Sequence, residues 1–358
     1  MVEVACDFVI CSVVSRRARA KSTTVDAISV VEAAYDCESD TDAWYRRLLA
    51  QVTPELDRGF GVVLSPYAPK MRPEDVTFHG TYSPPGLIEA NRALIFEYPE
   101  SFHALLTSSG ALNTATQVMG LHPSDAANWP PFTTYLRPWG VQDALGLVAR
   151  DPSGHAICMV ALCPDLRRPS LREQLKWGRI AAHIVAGSRL RRALPGLIMG
   201  DLADGAEAIL SPSGAIAHAE SAAKGKGAQE SLRRAAKDID RARSNARVNE
   251  DEALDLWQGL VAGRWSLVDR FDTDGRRYLV ARKNEPDVKD PRALTSRERH
   301  VLAYAAMGQS LKLIAYSLGL SLSTVSVNRR SAMRKLGLRS HAEVVALFAP
   351  LPPKAQAR

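Results

Sequence analysis

LTSRERHVLAYAAMGQSLKLIAYSLGLSLSTVSVNRRSAMRKLGLRSHAEVVALF, residues 294–348, divides into four short helices on its capping signals alone. Thr295 with Glu298 reads as a capping box, followed by an apolar stripe of Val301, Leu302 and Ala305, and Gly308 stops that helix. Ser310 caps a second helix with Ile314 and Leu318 inward, and Gly319 makes the turn. Ser321 caps a third helix with Leu322, Val325, Met333 and Leu336 on one face, ended by Gly337. Ser340 with Glu343 opens a fourth, carrying Val344, Val345, Leu347 and Phe348.

A helix, a tight turn and a second helix with a basic outer face predict a helix-turn-helix, whose second helix enters the major groove by its N-terminal residues. Hydroxyls and arginines on that face suit base edges and phosphates. The expected DNA-binding residues are Lys312, Ser321, Ser323, Thr324, Ser326, Val327, Asn328, Arg329, Arg330, Arg334 and Lys335. Charge agrees. From Pro291 to Arg358 there are eleven basic and two acidic residues, a net of +9, which leaves −2 for the other 290 of the 358 residues. A small, strongly basic tail on a near-neutral body suits a polyanion.

This stretch resembles a LuxR-type helix-turn-helix domain. The resemblance is carried by Leu294-Thr295-x-Arg297-Glu298, Val301-Leu302, Gly308, Ile314-Ala315-x-x-Leu318, Ser321-x-x-Thr324-Val325 and Lys335-Leu336-Gly337. It implies a bacterial, cytoplasmic transcription regulator that binds double-stranded DNA as a homodimer. Dimerisation would often run through the fourth helix, here Val344, Val345, Leu347 and Phe348. Three positions depart from the family pattern. An acid is usual at Leu313, a basic residue at Ser326 and a histidine at Asn328. A missing lysine at Ser326 removes one phosphate contact or shifts base preference.

Working outward, the chain is 46% apolar and 24% charged, as in globular proteins. Its length predicts two or three domains. No run of about 18 apolar residues spans a membrane. Residues 1–24 place Glu3 and Asp7 before the apolar part and the basic cluster after it, the reverse of a secretory signal. They read as a disordered leader or an early start codon, and 351–358 as a disordered tail. Cys6, Cys11, Cys37, Cys158 and Cys163 contain no C-x-x-C pair, which argues against a disulfide framework.

Val25 to Val52 is helical in period, ending at Pro54, and Gly59 to Leu64 is a β run. A helical stretch falls around Ile88 to Leu106, and Asn113 to Arg137 shows no clear period. Ala144–Ala149, a Pro-Ser-Gly turn and Ala156–Leu162 predict a hairpin. Ser170 and Glu173 then cap a long helix with Leu171, Leu175, Ile180, Ile184 and Leu190 inward. Second and third hairpins fall at 207–220 and 265–281, with polar helical stretches between them. The fold class is therefore α+β: antiparallel-sheet sensory units followed by an all-α four-helix domain. By element order, 25–195 resembles a GAF domain. Residues 200–283 resemble a PAS domain, on the phrase Ala208-Ile-Leu-Ser-Pro-Ser-Gly-Ala-Ile-Ala-His-Ala-Glu. Asn284 to Pro291 is the linker and 292–350 the DNA-binding domain.

Trp129, Trp139 and Trp177 read as core, with a ligand-pocket role the alternative. The histidines lack H-x-x-x-H spacing and no P-loop or G-x-S-x-G is present. Hence no metal, cofactor or enzymatic activity is expected. The expected function is a sequence-specific DNA-binding transcription regulator whose sensory region controls dimerisation or DNA access; a small molecule is one candidate signal, and a dimer scaffold that binds no ligand is the other reading of that region. The alternative is a ligand-sensing or protein-interaction module using the C-terminal helices mainly to dimerise. The basic face at Arg329, Arg330 and Arg334 discriminates against it. A sigma-factor-like protein would need a mostly helical N-terminal half.

Overall fold

A computed structural model describes residues 25–126, 128–193, 205–271, 275–288 and 294–348. The expected leader, the expected tail and the last residues of the expected linker lie outside them.

Helices α1 (Ala27–Ala34) and α2 (Thr41–Leu56) start on Asp26 and Asp40, whose carboxylates accept the Ile28 and Ala43 amides. The predicted single helix is thus two, and α2 runs through Pro54 for one further turn. Strands β1 (Gly61–Tyr67) and β2 (His79–Tyr82) form the first antiparallel pair. Then come α3 (Gly86–Glu97), α4 (Pro99–Thr107), β3 (Leu112–Thr114) and the short helices α5 (Ala115–Val118), α6 (Pro123–Ala126) and α7 (Pro130–Tyr135). The predicted hairpin is β4 (Asp143–Arg150) with β5 (Ala156–Cys163). These strands make a sheet in the order β2-β1-β5-β4-β3, antiparallel throughout.

Both faces of that sheet are covered. Val62 and Leu64 of β1 and Ile157, Met159 and Ala161 of β5 join a core with α1, α2 and α8 (Leu171–Ala193). Phe60, Val63 and Leu162 join Leu94, Ile95, Phe132 and Leu136 of the other layer. Covering on two sides explains why β4 and β5 read as continuous apolar runs.

Strands β6 (Ala208–Leu210), β7 (Ile216–Ala219), β8 (Trp265–Phe271) and β9 (Arg277–Lys283) form a second antiparallel sheet, ordered β7-β6-β9-β8. Helices α9 (Lys226–Arg243) and α10 (Glu250–Leu256) connect its halves. The core of α1, α2 and α8 continues without a break into Leu210, Leu232, Ile239, Leu254, Leu267 and Leu279. Helix α8 packs against the first sheet, α1 and α10, and most of its sides are buried. Its Lys176, only 8% exposed, pairs with Glu55 at 2.6 Å and Glu250 at 2.7 Å. Leu171 and Leu175, expected inward, are exposed. They precede the stretch from Lys176 that the first sheet, α1, α10 and the last domain cover.

The last domain is α11 (Ser296–Ala306), α12 (Leu311–Leu318), α13 (Leu322–Leu336) and α14 (His341–Phe348), around Val301, Leu302, Ile314, Leu318, Val325 and Val344. No helix among the described residues is long and apolar enough to cross a membrane.

Candidate nucleic-acid interface

The caps read from the sequence form as hydrogen bonds. Thr295 and Glu298 close a reciprocal capping box, Ser310 accepts the Leu313 amide, and Ser321 accepts the Thr324 amide at 3.1 Å. Gly319, between α12 and α13, has a φ of +62°, which favours glycine. Space demands glycine as well, because a Cβ there would sit 1.8 Å from the Leu260 carbonyl oxygen.

Glu298 then locks α11 to α13. Its carboxylate accepts the Ser331 hydroxyl at 2.6 Å and the Lys335 ammonium at 2.7 Å. Burial opposes its charge, but Lys335, Ser331 and the Thr295 amide prevail and bring its pKa down to about 2.

With α13 anchored by Val325 and Ala332, its other side faces out. Ser323, Val327, Arg330 and Arg334 are all exposed and recur at i, i+4, i+7 and i+11, a straight stripe along one face. The Arg334 guanidinium has no partner among the described residues, and Arg330 reaches only the Ser326 hydroxyl, at 3.3 Å. Thr324, Ser326, Asn328 and Arg329 flank the stripe half-buried. The Asn328 amide donates to the Thr324 carbonyl. Ser321 is exposed at the start of the helix and Lys312 on the first turn of α12. Two residues stand differently from the reading above. Lys335 turns to Glu298, and Leu322, at the first helical position on the edge of the inward face, is 47% exposed.

On α14, Val344 is fully buried in the domain core, whereas Val345 and Leu347 are exposed. The Phe348 side chain lies outside the described residues.

The domain is seated on the body. His183 of α8, fully buried, joins the Tyr35 hydroxyl at 3.2 Å through Nδ1 and the Tyr316 hydroxyl at 2.7 Å through Nε2. Arg189 donates to Asp151 at 2.7 Å, to the Asn284 carbonyl at 2.9 Å and to the Tyr304 hydroxyl at 3.1 Å. Burial opposes charge on Asp151, yet Arg189 and Ser153 hold its pKa below the usual range. Leu313, where an acid was expected, packs against Gly178 of α8, with a methyl carbon 3.4 Å from where a Cβ would stand. None of His183, Arg189 or Asp151 was singled out by sequence reasoning as part of a site. These partners lie 38 to 148 residues away, and no local pattern marks them.

The first unit holds an apolar pocket of about 420 Å3, lined by Tyr67, Met71, Val76, Ile95, Phe102 and Leu106 among others. None of the three tryptophans lines it. Trp177 is core, Trp129 packs on Phe132, and Trp139 lies over Gly86. Among the described residues no three His, Cys, Asp or Glu side chains group as a metal site.

An anchored helix, a glycine turn and a second helix that turns hydroxyls and arginines outward define a helix-turn-helix domain. Residues 292–348 match the family of bacterial regulatory proteins, luxR family, so this C-terminal domain is a LuxR-family DNA-binding domain. Among solved structures, Escherichia coli SdiA in space group P6522 is 11% identical over 87% of this chain and 90% of that chain, with a TM-score of 0.29. SdiA in complex with octanoyl-rac-glycerol is 13% identical over 87% of this chain and 95% of that chain, with a TM-score of 0.24. No curated protein matches the chain.

Proposed function

We propose that the chain is a sequence-specific transcription regulator of the bacterial cytoplasm, acting on double-stranded DNA as a homodimer. The observation that carries this reading is the exposed stripe of Ser323, Val327, Arg330 and Arg334 on a helix whose opposite face is locked. Ser321, Ser323, Thr324 and Val327 would meet base edges, and Lys312, Arg329, Arg330 and Arg334 phosphates or guanines. Val345 and Leu347 would supply the dimer contact. Two recognition helices would then address half-sites about one helical turn apart.

The first sheet with its helices serves as a GAF-like sensor, and the second as a PAS-like unit. The sheet order and the apolar pocket support the sensor reading. A largely apolar small molecule fits that lining. By preferring one conformation of the body, it would shift the population competent to bind DNA. No catalytic step is assigned.

The test recovers DNA bound by the full-length protein and by the Arg330→Ala, Arg334→Ala double variant at roughly physiological salt. A two-fold-symmetric motif that disappears in the variant is expected. Absence of any motif would overturn the reading and favour a module that uses these helices only to dimerise.

A further inference from the structure

Helix α4 forms a wall between two spaces. On one side Pro99, Phe102, His103 and Leu106 line the 420 Å3 apolar pocket. On the other, Leu106 also lines a cavity of about 30 Å3 shared with Tyr304, Met307 and Leu313 of the DNA-binding domain. The chain just beyond α4 touches that domain directly. Gly308, with a φ of +77°, lies so close to Ser109 that a Cβ would stand 2.4 Å from the Ser109 hydroxyl oxygen.

Arg150, the last residue of β4, bridges the same gap. Its Nη1 donates to the Leu106 carbonyl at 3.2 Å, and its Nη2 reaches the Met307 carbonyl at 3.5 Å. Leu106 is in the last turn of α4, and Met307 is the C-cap of α11. The guanidinium thus sits between the negative ends of two helix dipoles, which favour a cation there. Burial pulls the Arg150 pKa down, and no carboxylate among the described residues offsets that. Arg150 is half-buried, and partly withdrawing a cation from water without a carboxylate has a cost that an apolar side chain would avoid. What the arginine adds is a rigid fork spanning two carbonyls on two different units.

We propose that Arg150 couples the apolar pocket to the DNA-binding domain, by tying the C-terminal end of pocket helix α4 to the C-terminal end of α11. An occupant that shifts α4 moves the Leu106 carbonyl. Arg150 carries the movement to Met307, and the Ser109–Gly308 contact leaves α11 no slack to absorb it. This rests on the sensory reading of the first unit given above.

Amide hydrogen exchange of the full-length protein, without DNA or ligand, tests the coupling. The reporters are the amides of Met307, Gly308 and Gln309, which bond to the carbonyls of Ala303, Ala305 and Tyr304. Phe102→Ala loosens the pocket face of α4. It should speed exchange at these three amides on the order of tenfold, and by less than about twofold when combined with Arg150→Met. Exchange within α4 itself should rise in both backgrounds. Should Phe102→Ala leave α4 unperturbed, Phe102→Trp overfills the pocket and is read the same way. Should Arg150→Met not fold, Arg150→Lys, which cannot span both carbonyls, takes its place. Equal acceleration with and without Arg150 overturns the proposal. So does a response confined to α4. Because no DNA enters the experiment, its failure leaves the DNA reading intact, and a missing operator motif leaves the coupling intact.

Discussion

His183 Nε2 lies 2.7 Å from the Tyr316 hydroxyl, inside a seam that joins α8 to the second helix of the DNA-binding domain. Tyr316 donates its proton to the Trp257 carbonyl and Tyr35 donates its own to the Gly259 carbonyl. Both imidazole nitrogens would then have to donate, one to each tyrosine oxygen. A neutral histidine has one N–H. The seam therefore holds four polar contacts and three protons, and protonation alone would complete the set.

That protonation is opposed. Burial pushes His183 down to about 3, and burial likewise takes His300 of α11 to about 4. An unfolded histidine takes up its proton near pH 6.5. Between those values the unfolded chain binds protons that the fold refuses, so stability present in full above about pH 6.5 is lost as pH falls. Each group contributes at most about 1.4 kcal/mol per pH unit. Urea unfolding at pH 7, 6 and 5 should show this decline, and His183→Phe should flatten it. An unchanged slope in the variant would remove His183 as its source.

Two glycines of similar backbone angle separate strain from contact. Gly319 and Gly337 have φ of +62° and +68°. A Cβ on Gly337 would meet nothing within 4 Å, whereas on Gly319 it would collide with the Leu260 carbonyl. Gly337→Ala should cost about 1 kcal/mol, the strain of a left-handed residue. Gly319→Ala should cost at least about 2 kcal/mol more, because the domain must also back away from the body. Comparing their thermal unfolding checks this, and equal costs would mean that the domain is not seated on Leu260.

Glu298 both caps α11 and pins α13, so its removal should loosen the recognition helix from the inside. Glu298→Gln keeps a side chain able to cap but loses the charge that holds Lys335. A destabilisation of about 1–2 kcal/mol is expected at pH 7. Because the carboxylate pKa is depressed to about 2, its contribution is present above the ordinary range near 4.5 and fades as pH falls toward 2. Wild type and variant should therefore converge in stability below about pH 3. A gap that persists there would place the effect in packing instead.

The four C-terminal helices were legible because each is fixed by bonds within its own first or last turn. Thr295, Ser310 and Ser321 and the glycines at 308, 319 and 337 mark those turns in any context. Helix α8 was misread in part for the opposite reason. Enclosed by the first sheet, α1, α10 and the last domain, it has no simple wet face, so Lys176, His183 and Arg189 are buried while Leu171 and Leu175 are not. The stretch from 113 to 137 showed no period because its helices run only four to six residues and are held by Phe132 and Leu136 packing on the far layer. That Ser323, Val327, Arg330 and Arg334 face outward was legible in the helical spacing. The seam beneath them was not, since Tyr316 and His183 meet only once the whole chain has folded.

Ser326 stands half-buried beside the stripe, where its hydroxyl accepts from Arg330 at 3.3 Å. Ser326→Lys should add one phosphate contact. The slope of log affinity against log salt for operator DNA should then steepen by about 0.9. It should also release Arg330 from the hydroxyl, so affinity should rise most at low salt and the difference should vanish as salt increases. Titrations of both proteins on one operator across several salt concentrations read this directly. Parallel lines would show that position 326 faces no phosphate, and a change in the preferred operator with no change in slope would assign it to base readout instead.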